Sequence, residues 1–95
     1  MKHRVHVTQE DIDKGVPCDP LMCPVARALS RHYPECTVSA GRLLATISNG
    51  DEDTDFRLSR NTKKFIHDFD NFKEVKPFSL LVPHLKEYSP WLKKR

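Results

Sequence analysis

Pro17, Pro20 and Pro24 fall within one short stretch and constrain the path of this chain more firmly than any other feature. A proline ring fixes φ and removes an N–H, so Pro17 and Pro20 hold their loop extended. Pro24 suits the first position of a helix, where a missing N–H is no loss, and Cys23 then stands at the N-cap. Val25, Ala28, Leu29, His32 and Tyr33 recur at helical spacing and define an inner face, with Arg27, Ser30 and Arg31 on the solvent side. Pro34 ends the helix. The loop carries a cysteine at each end, Cys18 and Cys23. Three chemistries compete for it: a metal clip, a reactive thiol at a helix start, or a small apolar residue that docks the helix.

The flanking segments read as alternating strands and short helices. His3, Val5 and Val7 alternate with Arg4 and His6 as a strand. Thr8 is an N-cap with Asp11 three residues on, and Val7 and Ile12 stand at the positions of a hydrophobic staple; Gly15 stops that brief helix. Cys36, Val38 and Ala40 form a second strand, and Leu43, Ala45 and Ile47 are the inward positions of a third. Asn49-Gly50 marks a hairpin, with Phe56 and Leu58 on the return strand. Ser59 or Asn61 caps a third helix whose stripe is Phe65, Ile66, Phe69 and Phe72. Phe78–Val82 is apolar on both faces, which predicts an inner strand or one covered by a helix. Pro83 opens a short helix to Tyr88. The order β-α-α-β-β-β-α-β-α predicts an α+β fold: an antiparallel or mixed sheet of four to five strands with two to three helices mainly on one face. Residues 1–88 form one domain and 89–95 a basic tail.

Ninety-five residues suffice for one modest core. No apolar run reaches the roughly 18 residues of a membrane span, and no apolar segment follows the basic start, so the expectation is a cytoplasmic protein. The net charge is +3, but Lys93, Lys94 and Arg95 supply it, which argues against duplex nucleic acid as partner. Three cysteines in a reducing compartment argue against a disulfide framework.

Two stretches, Cys23-Pro-Val-Ala-Arg-Ala-Leu29 and Phe65-Ile-His-Asp-Phe-Asp-Asn-Phe-Lys-Glu-Val-Lys-Pro-Phe78, together with the Thr8–Ile12 opening, resemble a group of small phage and prophage proteins. The resemblance covers most of the chain. It implies a viral or mobile-element origin and a single domain, and it implies no reaction.

Cys18, Cys23, His32 and Cys36 are a zinc-like set by residue type. Within one helix, however, Cys23 and His32 stand about 13 Å apart, against the roughly 4 Å between ligands of one tetrahedral zinc. Cys23 as a nucleophile lacks an imidazole placed beside it, and a small capping or packing role fits it better. Asp51–Asp55 begins like a calcium loop, but Phe56 stands where glycine is needed and Thr62 where glutamate is needed, so it reads as a solvated hairpin tip. No catalytic constellation emerges and no cofactor is expected. Helix N-termini attract anions. Arg27, Arg31 and Arg42 would serve the helix start at Cys23, and Arg57, Arg60, Asn61, Thr62 and Lys63 the one near Ser59. Tyr33, Tyr88 or Trp91 would stack on a base. The resulting expectation is a non-enzymatic accessory protein that sequesters a nucleotide-like host signal. Leu81, Trp91 and Leu92, apolar without an evident partner, point to a small homo-oligomer. The rival expectation is a protein–protein inhibitor of a host defence complex.

Overall fold

A computed structural model describes residues 2–50 and 53–83. Strand β1 (Lys2–Val7) pairs antiparallel with β5 (Phe78–Pro83), setting Val5 opposite Leu80 and Val7 opposite Phe78. Strands β2 (Thr37–Ala40), β3 (Leu44–Ser48) and β4 (Asp53–Arg57) form a separate antiparallel meander. Helices α1 (Gln9–Lys14), α2 (Pro24–His32) and α3 (Arg60–Asp70) complete an α+β domain. Its five strands are divided between a two-stranded and a three-stranded sheet. Helix α2 touches β1 of one sheet and β2 of the other, so Val25, Ala26, Ala28 and Leu29 tie both sheets into one core. The expected helix after Pro83 and the tail 89–95, with Tyr88, Trp91 and Leu92, lie outside the described residues.

Local chemistry accounts for the helix ends. Thr8 Oγ1 accepts from the Asp11 N–H at 3.2 Å, and Asp11 Oδ2 accepts from the Thr8 N–H at 2.9 Å, a reciprocal capping box. Gly15 follows α1 with ordinary extended backbone (φ −71°), so no left-handed turn requires it. Space requires it: a Cβ there would lie 2.7 Å from Pro24 Cδ and 2.8 Å from the Asp11 carbonyl. Cys23 caps α2, its Sγ accepting from the Ala26 N–H at 3.4 Å. Ser59 caps α3, its Oγ accepting from the Thr62 N–H at 3.2 Å.

Four side chains depart from the positions that periodicity assigns them. His32, the last residue of α2, is exposed, whereas Ala26 is buried and Tyr33, beyond the helix with non-helical backbone (φ −123°, ψ 71°), stays inside. Leu43 is 66% exposed. The Gly41 N–H bonds the Leu44 carbonyl, so Leu43 sits in a turn before β3 begins, outside its alternation. Phe72 is 84% exposed because α3 ends at Asp70. There the Phe72 N–H bonds the Phe69 carbonyl and the Lys73 N–H the Asp68 carbonyl, a Schellman turn that points the ring outward. Leu81 is 55% exposed, since β5 pairs with β1 alone and is not an inner strand. Asp53 and Asp55 belong to β4, where Asp55 accepts from Thr46 Oγ1; Asp51 and Glu52 lie outside the described residues.

Candidate functional site

Two of the arginines expected to hold an anion already hold one belonging to the chain. The Asp11 side chain is fully buried, and Arg31 grips it with both terminal nitrogens, at 2.7 and 2.8 Å. Arg27 Nε stands 3.6 Å away on the same oxygen, and Arg31 also donates to the His6 carbonyl. Burial pushes the Asp11 carboxyl up, but the Arg31 and Thr8 hydrogen bonds outweigh it and hold the group below its ordinary range. The Arg31 guanidinium is stabilised in its charged form by the same contact. This cluster staples α1 to α2 and β1. Arg27 and Arg31, expected as ligand contacts, are thus engaged with Asp11 inside the fold.

The remaining cations divide between two places. Arg42, from the turn after β2, and Lys63, from the outer face of α3, border a cleft of about 420 Å³. Leu43 and Ile66 supply its apolar wall, and His67 and Asp70 complete the α3 side. Lys63, Ile66, His67 and Asp70 are spaced at three, four and seven residues, so one helical face carries them all. A second compartment of about 200 Å³ adjoins through Arg42, Ile66 and Asp70 and reaches Cys18, Asp19 and Cys23. Asp70 Oδ1 accepts from the Cys18 N–H at 2.9 Å, which fastens the loop to the end of α3. Among the described residues neither Arg42 nor Lys63 makes an ion pair. Lys64, one position on, is committed to Asp68 at 2.8 Å, and that bond holds the Asp68 carboxyl low.

Arg57 and Asn61 line a different groove, between the end of β4 and β5, with Leu58, Ser79 and Leu81. Arg60 is exposed at the start of α3, and Thr62 is buried, its Oγ1 within 3.0 Å of Ser59 Oγ. The eight residues expected around two helix starts are thus dispersed: Arg27 and Arg31 in the Asp11 cluster, Arg42 and Lys63 at the cleft, Arg57 and Asn61 in the β4–β5 groove, and Arg60 and Thr62 in none of these. Sequence reasoning missed His67 and Asp70. The helical spacing from Lys63 was the available signal, and only the packing of the 41–43 turn against α3 shows that this face is lined.

The cysteines have separate environments. Cys18 is exposed, Cys23 buried and Cys36 partly buried, and none forms a disulfide. Burial pushes the Cys23 thiol up, against the lowering effect of the Ala26 and Val25 N–H groups, so it is a protonated cap acceptor at neutral pH. Among the described residues no three His, Cys, Asp or Glu side chains converge as a metal site, so Cys18, Cys23, His32 and Cys36 are not gathered. Tyr33 is buried and unavailable to stack on a base. No helix among the described residues is long and apolar enough to cross a membrane. Set against known proteins, this chain matches no family model, no curated protein and no solved structure.

Proposed function

We propose that the protein is a non-enzymatic accessory protein that holds a small, nucleotide-like anion in the Arg42–Lys63 cleft and so withdraws it from the host that uses it as a signal. One observation carries the reading: two cations without an ion pair among the described residues border an apolar wall in a cavity of about 420 Å³. That volume lies in the range of small-molecule sites, roughly 300–1,000 Å³. Arg42 offers the planar fork that suits a phosphate, Lys63 a second charge, and Leu43 with Ile66 a surface for a base or sugar. The resemblance to phage proteins supports the host signal as the source of that anion.

Isothermal titration with mononucleotides, cyclic nucleotides and ADP-ribose tests the reading. Arg42→Ala and Lys63→Ala are each expected to weaken the ligand by roughly tenfold or more, the loss of one charge-assisted contact. Arg60→Ala, outside the cleft, is expected to leave it unchanged. The rival, a protein inhibitor of a host defence complex, is favoured by the exposed Phe72 ring. It predicts a one-to-one complex with a host protein and indifference to every nucleotide.

A further inference from the structure

The two compartments of the cleft share Arg42, Ile66 and Asp70 and differ at their far ends. Lys63 lines only the larger, of about 420 Å³, and Asp19 only the smaller, of about 200 Å³. Charge therefore changes sign along one connected cavity. A lysine stands at one end, an arginine and a carboxylate at the join, and a second carboxylate at the other end. A ligand that fills both compartments is complementary when it is anionic beside Lys63 and a hydrogen-bond donor beside Asp19.

The carboxylates have accepting capacity that the chain does not use. Asp19 and Asp70 are half-buried, and neither makes an ion pair among the described residues. Each accepts one backbone N–H through Oδ1, Asp19 from Leu21 at 3.0 Å and Asp70 from Cys18 at 2.9 Å. An ionised carboxylate has about four lone-pair sites and no donor, so each keeps Oδ2 and the second lone pair of Oδ1 for a ligand. The wall beside them is apolar: Ile66 is buried at the join, and Pro20 and Ala40 line the smaller compartment. Such walls suit the faces of a flat ring.

The kind of donor follows from its neighbours. A charged amine would share the smaller compartment with the Arg42 guanidinium, whereas the neutral N–H groups of a base meet no such repulsion. Among the common bases only guanine sets two donors side by side, N1–H and the 2-amino group, and so matches a carboxylate as a two-pronged fork does. Adenine and cytosine place a ring acceptor beside their amino group, and uracil flanks its single N–H with two carbonyls. We infer that the anion held by the cleft is a guanine nucleotide, with its phosphate between Arg42 and Lys63 and its base edge on Asp19. Asp70, at the join, accepts from the ribose hydroxyls, a familiar use of an acidic side chain. The inference rests on the anion-binding reading above and adds the base and the residue that selects it.

The experiment is titration calorimetry of the full chain with 5′-GMP, 5′-IMP and 5′-AMP, which share phosphate and ribose and differ at the base edge. GMP is expected to bind tightest. IMP, which keeps N1–H and lacks the 2-amino group, should be weaker by roughly tenfold, and AMP by roughly 100-fold, one charge-assisted hydrogen bond at each step. Asp19→Asn is the sharper arm. Its carbonyl oxygen still accepts from the Leu21 N–H, so the loop is kept, while its amide nitrogen replaces an acceptor with a donor. That variant should lose roughly 100-fold in affinity for GMP and hold AMP, whose N1 accepts, at least as well as the wild type does. Retained AMP binding also reports a folded variant. Equal affinity of the wild type for GMP and AMP, or an unchanged GMP preference in Asp19→Asn, overturns the inference and leaves the anion-binding reading standing. If none of the three binds, the inference is overturned whatever cyclic nucleotides or ADP-ribose do, and silence from those as well removes the anion-binding reading.

Discussion

The Asp11 cluster and the Arg42–Lys63 cleft use the same side-chain chemistry to opposite ends. In the first, Arg27 and Arg31 meet a carboxylate that the fold has buried completely, and the Thr8 N–H donates a further hydrogen bond to its Oδ2. In the second, Arg42 and Lys63 flank an open volume and reach no carboxylate as an ion pair among the described residues. A basic residue becomes part of the scaffold or part of a site according to what the fold places opposite it. Stability belongs to the first region and, under the proposed function, recognition to the second, and substitutions should separate them.

The largest expected effect is Arg31→Ala. It leaves the buried Asp11 carboxylate with Arg27 Nε at 3.6 Å as its one cation, and breaking a buried pair costs about 3–5 kcal/mol. Half of the Arg31 side chain is exposed, which places the loss near the lower bound, about 3 kcal/mol, read as a shift of the urea midpoint. A loss below about 1 kcal/mol would erase the distinction between the two regions.

Acid comes next. The Asp11 carboxyl titrates lower in the folded chain than in the unfolded one, so its contribution is fully present above an unfolded value of roughly pH 3.9 and disappears as pH falls through the folded value. Melting curves from pH 7 to pH 2 should show a steep acid limb in the wild type. Arg31→Ala should start lower and fall less over the same range. Parallel limbs would show that another carboxylate governs acid unfolding.

Phe72→Gly should stabilise the fold. Relief of the left-handed backbone, roughly 1–2 kcal/mol, exceeds the added freedom of the unfolded chain, roughly 0.4–1 kcal/mol. A rise in melting temperature would show that the ring is not kept for stability. A fall would show that the exposed ring contributes packing after all.

The smallest effect belongs to the cleft. Arg42→Ala should move stability by no more than about 0.5 kcal/mol, because an exposed arginine without an ion pair leaves nothing buried and unsatisfied. A large loss would place Arg42 in the scaffold with Arg31 and would remove it from the proposed site.

Much of the fold was legible in the chain. The Thr8–Asp11 box, Cys23 before Pro24, the Ser59 cap and the alternation of Val38 with Ala40 and of Ala45 with Ile47 all stand as their local patterns predict. The candidate site was legible only as an inventory of basic residues. Nothing near Arg31 in the sequence distinguishes it from Arg42, since its partner lies 20 residues back along the chain. Leu43 and Phe72 carry the right periodicity for the core and fall outside it, because one precedes its strand and the other follows its helix.

The sequence by itself determined where the three helices begin and which positions are apolar. Those choices are made by groups within about four residues of one another, through caps, proline φ and side-chain periodicity. The tertiary structure alone decided that five strands divide into two sheets, that two arginines meet a buried carboxylate while a third borders a cleft, and that Cys18 is fastened to Asp70, 52 residues away. These outcomes depend on contacts between distant segments, and their energies exist only once burial has removed water from one side chain and left it on another.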